Sequence, residues 1–201
     1  MNLPNKLTIL RIIFVLIIVI ISLINIPGSI ITIPIKMLIM LVLFIIASFT
    51  DTLDGYLARS RDEVTDFGKF LDPIADKILV IAVMIIFVQY GRLPAWIPIV
   101  VIFREFLVSG YRLIAVEKKG KVIAANIWGK IKTVTQMIAL SLMFIDSNAY
   151  CAIINGNIAG WEFWLNLLTT VLMTVSVVAT VFSGYQYLKG CKELFEQKGD
   201  N

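Results

Sequence analysis

Asp51-Thr52-Leu53-Asp54-Gly55-Tyr56-Leu57-Ala58-Arg59 and, a short loop later, Gly68-Lys69-Phe70-Leu71-Asp72-Pro73-Ile74-Ala75-Asp76-Lys77 set four carboxylates inside or against long apolar runs. A charge held in a bilayer costs roughly 3 kcal/mol or more, and four acids this close also repel one another. Something positive must sit among them, and a divalent metal is the simplest candidate.

The rest of the chain makes those runs membrane spans. Of its 201 residues 59% are hydrophobic and 16% charged, whereas a soluble domain is about 45–50% apolar and about 25% charged. The mean hydropathy of +0.88 points the same way. The composition therefore reads as one all-α integral membrane domain over residues 1–201. The net charge of +4 belongs to the loops. No basic face is interleaved with aromatics, so no nucleic-acid partner is expected. There are no histidines. Acid–base chemistry then falls to carboxylates, and any metal should be a hard, oxygen-liking ion.

Apolar runs are expected to span at about Leu10–Ile26, Pro34–Arg59, Gly68–Tyr90, Ala95–Val116, Ile123–Ile145 and Phe163–Tyr187. Leu3, Leu7 and Leu10 recur at helical spacing and suggest a short interfacial helix over residues 1–9, with a polar leader as the alternative. The first run lacks a small-residue cleavage pattern and reads as a retained span. Residues 190–201 form a charged tail. Six spans put both termini on one side. Lys6, Arg11, Arg59, Arg61, Lys69, Lys118, Lys119, Lys121, Lys189, Lys192 and Lys198 fall there, against Lys36 and Arg92 opposite. The positive-inside rule makes the first side cytoplasmic. Cys151 and Cys191 then lie on opposite sides, so no disulfide is expected between them.

Asp51, Asp54, Gly55 and Ala58 share one helix face, as do Gly68, Asp72 and Asp76. Asp51 and Asp76 each lie eight residues from the loop marks Arg59 and Gly68. At about 1.5 Å per residue both sit roughly 12 Å below the loop. Asp54 and Asp72 also match in depth. The spacing suggests two stacked pairs of carboxylates across one seam between the second and third spans, able to hold one or two Mg²⁺ or Mn²⁺ ions. Asp62, Glu63 and Asp66 read as loop charges only. A metal site under the cytoplasmic surface suits chemistry joining a soluble phosphorylated molecule to a lipid. The competing reading is a cation transporter, since intramembrane acids also mark ion paths. No polar chain continues to the outer face, which argues against it.

The residues spell D-x2-D-G-x2-A-R-x8-G-x3-D-x3-D over Asp51–Asp76. This resembles the signature of the CDP-alcohol phosphotransferase family. The resemblance implies a CDP-linked donor held through its pyrophosphate by metal, two ions being expected, with an alcohol attacking phosphorus and CMP leaving. By position it implies Asp51, Asp54 and Asp72 as metal ligands, and Asp76 as a metal ligand or as the general base on the attacking hydroxyl. Asp54, Gly55, Ala58, Arg59 and Gly68 would line the donor pocket. Asn5 and Thr8, with Arg11, would close it from the N-terminus, unless they serve headgroup contact and helix capping.

Three further stretches, Pro4–Arg11, Arg104–Arg112 and Gly129–Thr133, resemble the branch of that family whose acceptor is glycerol 3-phosphate. The resemblance then implies CDP-diacylglycerol as donor, a place in the cell (plasma or inner) membrane with the active site facing the cytoplasm, and a homodimer. Inositol phosphate, serine or phosphatidylglycerol are the alternative acceptors within the family. A dianionic phosphate needs cations, and arginine favours bidentate contact with it. Arg104, Arg112, Lys130 and Lys132 are the candidate clamp. The plain alternatives are an internal ion pair for Arg104, with Glu105 or a motif acid, and a snorkelling interfacial role for Lys132.

Overall fold

The computed structural model describes residues 3–30, 32–61, 66–119, 127–155 and 158–196, with side chains at 8–30, 32–50, 74–75, 77–111, 127–154 and 158–189. Among the described residues there are six α-helices: α1 (Leu3–Leu23), α2 (Ile35–Arg61), α3 (Asp66–Gln89), α4 (Trp96–Lys119), α5 (Ile127–Ile145) and α6 (Trp161–Glu196). Each coincides with an expected apolar run. Pro34 and Pro94 stand just before α2 and α4, where a missing N–H costs nothing. Gly91 closes α3 in a left-handed conformation (φ +68°). The Gly91 and Arg92 amides bond back to the carbonyls of Val88 and Phe87, which satisfies groups that a helix end leaves open. No neighbouring atom lies near a Cβ built at Gly91, so the backbone conformation alone asks for glycine.

Three details depart from the sequence reading. First, the separate interfacial helix expected over residues 1–9 is not distinct. α1 runs unbroken from Leu3, because Pro4 falls in the first turn, where a helix tolerates it. Second, the α1–α2 connection holds a small antiparallel ribbon, β1 (Ser29–Ile30) with β2 (Ile33–Pro34). Gly28 enters it at φ +110° and accepts from the Ile35 amide at 3.1 Å. Third, α1 inserts between the two motif helices over much of their length: among the described residues it packs against both α2 and α3, which make few contacts of their own there. The expected seam of the four acids lies at residues 51–76, whose side chains, except at 74 and 75, fall outside the described residues.

α5 packs chiefly on α6 and also on α2, and α4 packs on α6. The core gathers where α2, α3 and α5 converge. Phe144 lies 5.8 Å from Phe44 and 4.8 Å from Phe87, ring centre to ring centre. Met40, Val83, Met84 and Leu140 surround them without measurable exposure. Large apolar side chains also face outward, with Leu16, Val42, Phe49, Ile99, Phe103 and Phe106 all more than half exposed. Over Trp161–Lys189, α6 is long and apolar enough to cross a membrane. Thr8–Leu23, Ile35–Thr50 and Lys77–Gln89 are shorter apolar stretches.

A polar knot ties the helix ends away from the acidic motif. Buried Asp146 accepts from the Asn166 amide at 2.7 Å and from the Asn148 backbone at 3.0 Å. Arg92 donates to the Met143 carbonyl at 3.0 Å, and the Tyr150 amide donates to the Arg92 carbonyl at 2.8 Å. Burial lowers the Arg92 pKa from its usual value, opposed by the nearby Asp146 charge. The α3–α4 turn and the α5–α6 loop are thereby fastened together. That leaves the opposite end of the bundle for chemistry.

Candidate active site

α2 continues as helix through Asp51 and Asp54, and α3 through Asp72 and Asp76. Each acid pair therefore keeps helical spacing on one face. The four are an all-oxygen donor set of the kind that Mg²⁺ or Mn²⁺ takes. Their side chains, and those of Asn5, Gly55, Ala58, Arg59, Gly68 and Arg112, lie outside the described residues.

One turn further along the same helices the bundle opens into a cavity of about 220 Å³, walled by α1 to α5. Ser48 lies three residues before Asp51 on α2, and Lys77 directly follows Asp76 on α3; both line it. Four cations face this space from four helices: Arg11, Lys77, Arg104 and Lys132. Glu105 is the one carboxylate among the lining residues. A space so walled, inside an apolar bundle, favours a multiply charged anion.

Glu105 is the hub of that charge. Its Oε1 accepts from Arg104 Nη1 at 3.0 Å and from Lys132 Nζ at 2.6 Å. Its Oε2 lies 3.7 Å from Lys77 Nζ. Lys77 also donates to Ser109 Oγ. Lys132 is 7% exposed and Arg11 1%, so both are held inside, not snorkelling outward.

Arg104 is seated from α6. Its Nη2 donates to Ser183 Oγ, and its guanidinium carbon lies 5.8 Å from the centre of the Tyr187 ring. Tyr187 is held edge-on by Tyr111, 5.6 Å away. Two glycines leave room for the arginine. A Cβ at Gly129 would stand 3.2 Å from Nη2, and one at Gly184 3.6 Å from Cγ. The Arg104 Nε is buried and has no hydrogen-bond partner among the described residues. Gly129→Ala is thus expected to push the guanidinium by a few tenths of an ångström. On the expectation that Arg104 meets the acceptor phosphate, titration with inorganic phosphate should show severalfold weaker binding with little change in melting temperature. Unchanged phosphate binding would take Arg104 out of that contact.

Residues 1–182 match the model of the family described as CDP-alcohol phosphatidyltransferase. The chain belongs to the CDP-alcohol phosphatidyltransferase family. It is 44% identical over 191 residues to a Bacillus subtilis (strain 168) protein, covering 92% of this chain and 93% of the relative. It is 38% identical over 194 residues to one from Rickettsia bellii, covering 96% and 97%. A third relative, from Haemophilus influenzae, is 34% identical over 196 residues, covering 95% and 94%. All three relatives are named CDP-diacylglycerol–glycerol-3-phosphate 3-phosphatidyltransferase.

Within this phosphatidyltransferase the structure brings Arg104 and Lys132 together around one cavity and leaves Lys130 exposed, away from its lining. Positions two apart on a helix point in nearly opposite directions. Gly129, Lys132 and Gln136 follow at helical spacing on one face, and that stripe is the signal that favours Lys132. Arg104 does carry the Glu105 ion pair that was its plain alternative, and it lines the cavity at the same time. Thr8 is buried on α1 and is not among the lining residues, whereas Arg11, one turn on, is. Sequence reasoning gave no functional part to Lys77, Ser109 or Ser183. Lys77 could have been found from its place beside Asp76. Ser183 could not: it lies 79 residues from Arg104, just past the stretch the family model matches.

Proposed function

We propose that this phosphatidyltransferase moves the phosphatidyl group from CDP-diacylglycerol to glycerol 3-phosphate, giving phosphatidylglycerophosphate and CMP. The observation that carries the acceptor is the cavity with four lining cations against one carboxylate, beside the acidic motif. The names of the close relatives support the same choice. Arg104 and Lys132 hold the acceptor phosphate from α4 and α5, with Arg11 and Lys77 adding charge. Arg112 joins them from further along α4, and Lys130 serves the approach to the site. Serine is zwitterionic, and so many cations would leave it poorly matched.

The remaining roles follow from the motif. Asp51, Asp54, Asp72 and Asp76 hold two Mg²⁺ or Mn²⁺ ions. When bound, these neutralise charge on the donor pyrophosphate and on the departing CMP. Asp54, Gly55, Ala58, Arg59 and Gly68 receive the CDP moiety, with Asn5 and Thr8 near its N-terminal side. Asp76 takes the proton from the attacking glycerol hydroxyl. That oxygen bonds to the phosphorus bearing diacylglycerol, and the bond from that phosphorus to CMP breaks. The six helices span the cell membrane, where lipid covers the exposed apolar faces of Leu16, Val42, Phe103 and Phe106. Both termini and the site face the cytoplasm, as the lysine and arginine distribution favours. The assembly is a homodimer, on the ground of the family likeness.

An acceptor panel tests the reading. Full-length protein with CDP-diacylglycerol and Mg²⁺ is expected to release CMP with glycerol 3-phosphate, and not with serine, inositol phosphate or phosphatidylglycerol. Robust turnover with serine and none with glycerol 3-phosphate would overturn the acceptor. Metal flux in proteoliposomes without CMP release would overturn the whole reading in favour of a transporter.

A further inference from the structure

The anion site is already occupied, by a side chain. Glu105 takes the charged donors that a phosphate would need: Arg104 Nη1 and Lys132 Nζ on one oxygen, with Lys77 Nζ near the other. These come from α3, α4 and α5 and converge on one carboxylate at the cavity wall. If Glu105 only supported the arginine, an outward-facing carboxylate or a backbone carbonyl would serve. Instead it lines the very space the cations face. Resting on the acceptor site proposed above, we propose that Glu105 is a specificity-determining competitor: the acceptor's phosphate must take Arg104 and Lys132 from it.

The consequence is a charge threshold. A carboxylate carries one negative charge and a phosphate monoester dianion carries two. The dianion has three terminal oxygens with which to meet the same donors, so it wins the exchange. A monoanionic sulfate or phosphodiester offers no more charge than Glu105 and gains little by displacing it. A zwitterion gains still less. The same carboxylate also balances cations that would otherwise repel one another while the cavity is empty. Specificity thus arises from a built-in repulsive element as well as from the attractive ones.

The sign of one measurement decides between competition and scaffolding. Inorganic phosphate is titrated by calorimetry into the full-length, detergent-solubilised protein at fixed pH and ionic strength, wild type beside Glu105→Gln. Competition predicts phosphate binding about tenfold tighter in Glu105→Gln, the size of one hydrogen bond to a charged group. Unchanged or weaker binding overturns the proposal. Should Glu105→Gln not fold, Glu105→Asp keeps the charge but withdraws it by one methylene. Tighter phosphate binding there supports competition, and unchanged or weaker binding overturns it. In turnover, Glu105→Gln should lower KM for glycerol 3-phosphate and narrow its advantage over glycerol 3-sulfate. A KM that rises speaks for scaffolding and against competition. If wild-type protein released no CMP with glycerol 3-phosphate, the transfer reading would fail. The phosphate titration would still decide the role of Glu105, so the two failures are distinguishable.

Discussion

Asp76→Asn in the full-length protein is expected to lower kcat for CMP release by about 10²–10⁴-fold, the usual reach of a positioned general base. Asparagine keeps the shape of aspartate but cannot accept a proton at neutral pH, and it is a poorer ligand for a hard cation. The loss should fall on kcat, because the cavity assigned here to the acceptor begins at the next residue, Lys77, and is left in place. Asp72→Asn should behave differently. On the roles proposed above it removes a ligand without removing the base, so part of its activity should return as Mg²⁺ or Mn²⁺ is raised. Chelation with EDTA should abolish wild-type turnover, and added metal should restore it. Metal titrations of CMP release on the three proteins check all of this. Full activity in Asp76→Asn, or an Asp72→Asn enzyme with an unchanged metal midpoint, would remove the roles assigned to these carboxylates.

Arg104→Ala is expected to raise KM for glycerol 3-phosphate about 10- to 100-fold, the cost of losing hydrogen bonds to a charged group, while KM for CDP-diacylglycerol stays near its wild-type value. The separation follows from location. Arg104 faces the cavity and is braced from the far side by Ser183 and Tyr187 on α6. Arg104→Lys should recover only a fraction. An ammonium keeps the charge but offers no planar fork, and the pocket between Gly129 and Gly184 is shaped for a guanidinium. Initial rates with each substrate varied in turn test the prediction. A KM for glycerol 3-phosphate that does not move would place the acceptor phosphate elsewhere. Loss of the Arg104 contact to Glu105 leaves that carboxylate to Lys132 and Lys77, so destabilisation of the fold should be modest beside the kinetic effect.

Much of the architecture was legible before any coordinates. Long Ile-, Leu- and Val-rich runs interrupted by Pro27-Gly28, Gly91-Arg92-Leu93-Pro94 and Asp146-rich polar sequence leave few alternatives to six helices. Proline and glycine fix where a helix begins or ends through their own backbone restrictions. Helical periodicity also put each pair of motif acids on one face. What it could not provide was lateral order. That α1 packs against both α2 and α3 came from the fold, because hydrophobic runs of similar composition do not encode which neighbour they choose.

The acidic motif belongs to the sequence: its spacing, its residue types and its helical register follow from Asp51 to Asp76 alone. The basic half of the site belongs to the fold. Sequence offered Arg104 and Lys132 as part of a clamp and set Arg11 apart at the donor pocket, but it did not bring Arg11, Lys77 and Glu105 to the same space. Only packing of α1, α3, α4 and α5 around a common space joins them, and only α6 supplies Ser183 and Tyr187 to hold Arg104 in place. Local spacing constrains positions within one helix to a few ångströms. Convergence of charges from several helices depends on the whole bundle closing, and short-range sequence carries no record of that.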